Sequence, residues 1–251
     1  MNVNAPNLNH LWAGLIVEEC VRNGADTFFL TYGSRNTPLL LAVAEHPRAR
    51  HVLHFDERGA AFMALGYAKA SGKPGVLVCT SGTAAANYLP AIVEASQAGV
   101  PLLVLTADRP PELLACGANQ AIDQRKIYGE YVRAYFELPC PDTAAPAAFV
   151  LTTVDEALYR AANGDAGPVH INGLFREPLA PASDGRDGET WLAPVARWLE
   201  SEAPYTQRPR PQRAFAPGTL ELLAESIKNA SQGLVIAGML NNKEQAIAAR
   251  M

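Results

Sequence analysis

Residues 54–110 read HFDERGAAFMALGYAKASGKPGVLVCTSGTAAANYLPAIVEASQAGVPLLVLTADRP, and the periodicity of this stretch decides the fold. Residues 51–55 form a short apolar run, and residues 59–69 a helix of small residues. Residues 76–79 form a continuous apolar strand, and residues 80–83 a tight turn. Residues 84–98 read as a helix, with Tyr88, Ile92 and Ala95 about one turn apart, and residues 101–106 as a second buried strand. Strand, helix, strand, helix, strand implies a parallel sheet whose loops gather at one edge. In such sheets ligands bind at the carboxyl ends of the strands, which is where Glu57, Ser81-Gly82-Thr83 and Asp108-Arg109 fall.

Working outward, the amino-terminal helix should stop near Asn23-Gly24, with a strand at 27–31 and a helix at 39–45. Between them lies Tyr32-Gly33-Ser34-Arg35-Asn36-Thr37-Pro38. Pro38 suits an early helical position, and the hydroxyls and free N–H groups of residues 34–37 suit an anion; a capped helix beside a solvated Arg35 explains the same residues equally well. Further on, Gly117-Ala118-Asn119-Gln120 presents two side-chain amides. A strand is expected at 131–138, a helix at 152–163 and a strand at 168–172. The expected fold is thus α/β, a Rossmann-like parallel sheet of about six strands with helices on both faces, occupying residues 1–178.

Prolines and glycines cluster over residues 179–217, which read as a linker laid over the first domain and interrupted by one helical piece at 191–200. A second α/β unit then opens over 218–251, with a helix at 219–229, a strand at 233–237 and a helix from 241. One strand between two helices cannot close a core, so the chain reads as truncated.

Composition narrows the partners. With 49% hydrophobic and 18% charged residues and a net charge of −4, nothing calls for nucleic acid or an anionic membrane. No apolar run nears the roughly 20 residues that span a bilayer. The amino terminus lacks the features of a leader peptide, so a cytoplasmic location is expected. Cys20, Cys79, Cys116 and Cys140 form no CxxC pair and read as reduced thiols, and the five histidines lack ligand spacing.

Five motifs in order, GSRNTPL at 33–39, HFDERG at 54–59, TSGTA at 80–84, TADRPPEL at 106–113 and GANQAI at 117–122, resemble the 2-succinyl-5-enolpyruvyl-6-hydroxy-3-cyclohexene-1-carboxylate synthases of menaquinone biosynthesis, which are thiamine-diphosphate-dependent transferases. The resemblance implies a pyrimidine-binding domain followed by the start of a middle domain. It also implies a homo-oligomer, a dimer or dimer of dimers, in which this domain faces a diphosphate-binding domain of another subunit. Mg or Mn would be held in that other domain; Gly164-Asp165 and Asn241-Asn242 superficially match its marker but lack its context. By the same resemblance Glu57 is catalytic, Gly33, Glu57, Ser81, Gly82, Thr83 and Asn87 contact the cofactor, and Ser34, Arg35, Arg109, Asn119 and Gln120 contact the substrates 2-oxoglutarate and isochorismate. A carboxyl group on N1′ of the aminopyrimidine favours the tautomer that deprotonates C2 of the thiazolium. A strand-end glutamate paired with Arg58 is the structural alternative for Glu57. Tyr32 and Asn36 stand where the resembled family usually has proline and serine. The isolated chain is expected to be inactive. Competing functions are an acetolactate-synthase-like carboligase and a non-catalytic binding or assembly module. A reading frame running past Met251 into a Gly-Asp-Gly domain excludes the module.

Overall fold

The computed structural model describes residues 5–185, 188–209, 214–234 and 236. The chain divides into two compact units, residues 1–207 and 208–251. In the first, the elements follow in order as α1 (Leu8–Arg22), β1 (Thr27–Leu30), α2 (Thr37–Glu45), β2 (Arg50–Leu53), α3 (Glu57–Ser71), β3 (Gly75–Cys79), α4 (Thr83–Ala86), α5 (Leu89–Gln97), β4 (Leu102–Asp108), β5 (Tyr135–Leu138), α6 (Ala147–Ala162), β6 (Pro168–Leu174), α7 (Gly188–Leu192) and α8 (Ala196–Leu199). The six strands form one sheet in the order β2-β1-β3-β4-β6-β5, and every pairing is parallel.

Helices cover both faces because successive strand residues point to opposite sides. Phe28, Leu30, Val76, Val78, Leu103 and Leu105 join one cluster with α1, α2 and α6. Phe29, Leu77, Cys79, Leu102 and Val104 join the other with α3, α4 and α5. Burial on both faces explains why β3 and residues 102–105 of β4 read as unbroken apolar runs. β2 differs: it is an edge strand, mostly exposed, and it stops at Leu53, so residues 54–56 form a turn where the sequence suggested continued strand.

Other elements depart from expectation too: α6 starts at Ala147, before the expected 152, and the helical piece expected at 191–200 is split into α7, a 3-10 turn at Ala193–Val195 and α8. The single helix expected over 84–98 is broken at Asn87-Tyr88 into α4 and α5, and Pro90 opens the second piece, where a missing N–H costs no helical hydrogen bond. β5 begins at Tyr135, later than expected, because Gly129–Tyr131 coils into a 3-10 turn and Arg133 ties the strand entrance to the carbonyls of Ser96, Asp165 and Ala166.

The stretch after β6 is a strap packed on the sheet domain. Trp191 stacks on Trp12 with ring centroids 6.0 Å apart. The Trp198 Nε1–H donates to Glu19 at 2.6 Å, the Tyr205 N–H to Glu19 at 2.6 Å, and the Thr206 N–H to Asp155 at 2.7 Å. Arg22 lies over the Trp198 ring, 4.0 Å from its centroid, and donates to the carbonyls of Trp198 and Ala203. In the second unit, α9 (Thr219–Asn229) is the helix described. Of the strand expected at 233–237, residues 233, 234 and 236 are described and are not in a strand, whereas 235 and 237–251, with the whole of the helix expected from 241, lie outside the described residues.

All four cysteines are free thiols. No described helix is long and apolar enough to cross a membrane.

Candidate active site at the carboxyl edge of the sheet

From β1 the chain first adds β2 on one side and then crosses to β3 on the other, so the order reverses between β1 and β3. A crevice opens beyond the carboxyl ends at such a reversal. Its floor is the contact of Gly33, after β1, with Thr80, after β3: a β-carbon on Gly33 would lie 2.5 Å from Thr80 Cβ. Only glycine lets these two turns approach so closely.

Glu57 follows β2 and is the first residue of α3, half-buried at the helix N-terminus. The helix starts there because Asp56 caps it, accepting from the Arg58 N–H at 2.9 Å. Arg58 bonds Asp56 as well, at 2.7 Å, so the pairing of Glu57 with Arg58 that offered a structural explanation of the glutamate is not formed. His54 lies beneath the first turn, where a β-carbon on Gly59 would sit 2.5 Å from its ring. Among the described residues no hydrogen bond or ion pair engages the Glu57 carboxylate.

The turn after β3 is held from beneath. Ser81 donates to the Gln120 carbonyl at 3.2 Å, the Gln120 amide donates to the Ser81 carbonyl at 3.0 Å, and the Gly82 N–H donates to Gln124 Oε1 at 2.7 Å. Gly82 has φ +91° and a β-carbon there would meet Gln120 at 2.9 Å, so two constraints require glycine. Thr83 and Asn87 are exposed at the two ends of α4. Gln120 is exposed while its amide donates to the Ser81 carbonyl, and its φ of 56° places it in the left-handed region. Asn119 meets the site through its carbonyl, which accepts from Arg109 at 2.9 Å.

Arg35 is not solvated: it is 3% exposed and donates to the Phe175 carbonyl at 2.9 Å, which brings the turn after β1 to the end of β6. Burial, then the nearby Arg109 charge, lower its pKa, with Glu177 acting the other way at 4.0 Å. The Nε atoms of Arg35 and Arg109 are both buried without a partner, and a buried donor left unpaired is costly. Two guanidinium groups with open donors fit a carboxylate-bearing ligand. Ser34 is exposed beside them. Asn36, at the position where the resembled family usually has serine, is buried and donates to the Thr31 carbonyl at 2.7 Å, tying the turn to the end of β1. Tyr32 is 60% exposed.

At roughly 4.8 Å per strand, β2 and β4, three strand spacings apart in the sheet, are separated by about 14 Å.

A polar layer beneath the edge escaped the sequence analysis. Gln124, Thr106, Asp108, His170 and Asn172 are all buried. Thr106 donates to Asn172 Oδ1 at 2.7 Å, so at 2.8 Å it accepts from His170 Nε2–H; His170 Nδ1 is left unpartnered and burial pushes this histidine down to about 3, keeping it neutral. Asn172 donates to Asp108 at 2.9 Å. Burial raises the Asp108 pKa, while bonds from Asn172 and the Arg109 N–H oppose the rise. The signal was present, since Thr106, His170 and Asn172 interrupt strands that are otherwise apolar, and buried polar side chains need partners.

Among the described residues no group of three or more His, Cys, Asp or Glu could hold a metal ion.

The family described as thiamine pyrophosphate enzyme, N-terminal TPP binding domain, matches residues 12–127, which run from α1 through the turn that carries Gln124. Three proteins named 2-succinyl-5-enolpyruvyl-6-hydroxy-3-cyclohexene-1-carboxylate synthase are similar over almost the whole chain. The Salinibacter ruber protein is 50% identical over 99% of this chain and 42% of its own length. The Chlorobaculum tepidum protein is 49% identical over 98% and 43%. The Pelodictyon phaeoclathratiforme protein is 47% identical over 98% and 41%. The chain therefore spans about two fifths of the length of the curated relatives it matches. Over almost its whole length the chain is thus similar to a part of the 2-succinyl-5-enolpyruvyl-6-hydroxy-3-cyclohexene-1-carboxylate synthases, and its residues 12–127 match the N-terminal TPP binding domain of the thiamine pyrophosphate enzymes.

Proposed function

We propose that these residues are the pyrimidine-binding part of a thiamine-diphosphate-dependent carboligase that decarboxylates 2-oxoglutarate and adds the succinyl unit to isochorismate in menaquinone biosynthesis. The observation that carries this reading is the pairing, on one sheet edge, of an unengaged glutamate at a helix start with two arginines whose Nε donors are buried and open. Glu57, whose carboxylate no described hydrogen bond or ion pair engages, fits the ring nitrogen at the aminopyrimidine end of the cofactor.

When bound, thiamine diphosphate supplies the nucleophilic carbon that accepts a 2-oxo acid. In this chain Glu57 holds or releases the proton at the ring nitrogen of the aminopyrimidine. Arg35 and Arg109 bind substrate carboxylates through their forks, and Ser34 adds a hydroxyl at the open side. Mg or Mn and the diphosphate would be held by a domain outside these residues.

The same edge is apolar. Leu53 is 59% exposed, Phe55 83%, Phe62 47% and Met63 43%. A patch of this kind marks an interaction surface, and in this reading it is covered by a diphosphate-binding domain of a second subunit in a dimer or dimer of dimers. Residues 179–207 serve as the strap that closes the first domain, and residues 218–251 open a second domain.

The test is a hybrid in which residues 1–251 replace the matching part of the Salinibacter ruber relative. With thiamine diphosphate and Mg or Mn it should consume 2-oxoglutarate only when isochorismate is supplied. Turnover of pyruvate in place of 2-oxoglutarate would establish the acetolactate-type alternative, and activity independent of thiamine diphosphate would overturn the reading.

A further inference from the structure

Gln124 bonds directly to both the turn after β3 and the end of β4. It is 1% exposed, and both the oxygen and the nitrogen of its amide are bonded. Its Oε1 accepts from the Gly82 N–H at 2.7 Å, and its Nε2 donates to the Ala107 carbonyl at 3.3 Å and to Asn172 Oδ1 at 2.9 Å. Asn172 passes the connection on, donating to Asp108 Oδ2 at 2.9 Å, while Asp108 Oδ1 accepts from the Arg109 N–H at 2.7 Å. One end of this chain therefore fixes the turn after β3, and the other fixes the turn after β4.

We propose that Gln124 is a positioning residue that locks the turn at residues 81–83 to the turn at residues 108–109, holding the cofactor-facing and substrate-facing edges of the site in one register. The proposal rests on the pyrimidine- and carboxylate-binding reading of those two turns. An apolar side chain of the same length would fill the volume, yet it would leave the Gly82 N–H without its Gln124 acceptor in a buried place and remove a donor from the Ala107 carbonyl and from Asn172 Oδ1, which would keep only its bond from Thr106. The backbone of Gly82, at φ +91° and ψ −146°, directs its N–H at Gln124 in a conformation that ordinary residues rarely adopt. A lock of this kind matters because a site built on separate loops loses rate when its parts shift by about an ångström.

Amide hydrogen exchange followed by NMR on the 251-residue chain decides the proposal without any ligand. In Gln124→Met the Gly82 and Arg109 amides should both exchange at least tenfold faster, while amides within β3 and β4 keep their rates. In Gln124→Glu, which retains an acceptor oxygen in either protonation state, Gly82 should recover its protection. Unchanged Arg109 exchange in Gln124→Met would overturn the lock, as would loss of protection throughout β3 and β4 in both variants, which would make Gln124 a general packing residue. The ligand reading is read out separately, by adding 2-oxoglutarate to the unsubstituted chain. Movement of the Arg35 and Arg109 Nε resonances supports that reading, and their failure to move counts against the carboxylate clamp while the exchange result stands.

Discussion

A β-carbon on Gly33 would stand 2.5 Å from Cβ of Thr80, so the turns after β1 and β3 meet with no room for a methyl group. Gly33→Ala should push the two strand ends apart and lower stability by about 1–3 kcal/mol, the usual range for overpacking. Urea unfolding of the 251-residue chain measures it. An unchanged midpoint would mean that the turns yield freely and do not define the crevice floor.

The strap is closed over a pair of buried acids. Glu19 and Asp155 are 0% and 2% exposed and share Asn23 as a donor. Burial, with the neighbouring Asp155, raises the Glu19 pKa to about 9. Around the pair are Cys20, the Trp198 Nε1–H and the Tyr205 N–H on Glu19, and the Thr206 N–H on Asp155. The native state thus keeps a proton that the unfolded chain has lost above its ordinary value of 4.5. Stability is fully present below that value and is lost as pH rises toward 9, by about 1.4 kcal/mol per pH unit for one retained proton. Thermal melts between pH 6 and pH 9 should show a falling Tm, and Glu19→Gln should flatten the slope. A Tm that rises over this range would contradict the shared proton.

Arg35 and Arg109 should act on binding more than on chemistry. In the hybrid enzyme, Arg109→Ala is expected to raise the KM for the anionic substrates tenfold or more with a smaller effect on kcat, because a carboxylate clamp works before bond breaking begins. Arg35→Met, which keeps much of the buried volume, should do the same. Equal losses in kcat and kcat/KM at unchanged KM would place these residues in the transition state instead.

The apolar edge around Phe55 gives a prediction about assembly. The 251-residue chain should self-associate with increasing concentration in light scattering, and Phe55→Ser, at a side chain 83% exposed, should weaken association without altering the melt. A strict monomer at high concentration would speak against an interface there.

Much of this architecture can be read from residue patterns, for a physical reason. β3 and residues 102–105 of β4 are buried on both faces and form uninterrupted apolar runs, and the turns that follow β1, β3 and β4 carry the glycines and polar groups that parallel sheets place at one edge. β2 was harder, since an edge strand exposed to solvent needs no apolar pattern. The break between α4 and α5 was hidden because Pro90 is equally at home in the first turn of a new helix. Gln120 belongs to a recognisable motif, yet only the backbone at φ 56° shows that its amide turns inward to Ser81. Gln124 and the acids Glu19 and Asp155 were illegible because their partners lie far along the chain and come together only when the sheet and strap close.

The central claim is that Glu57 starts the chemistry, and Glu57→Gln in the hybrid enzyme tests it most directly. Asp56 is occupied as the helix cap and in its bonds to Arg58, so no neighbouring carboxylate replaces Glu57. The substitution keeps the shape and removes the ionisable group; kcat should therefore fall by about 10² to 10⁴, the range of a general acid-base group, with a smaller change in thiamine diphosphate affinity. Near-normal turnover, with C2 proton exchange of the cofactor intact, would contradict the assignment of Glu57 and with it the thiamine reading of this edge.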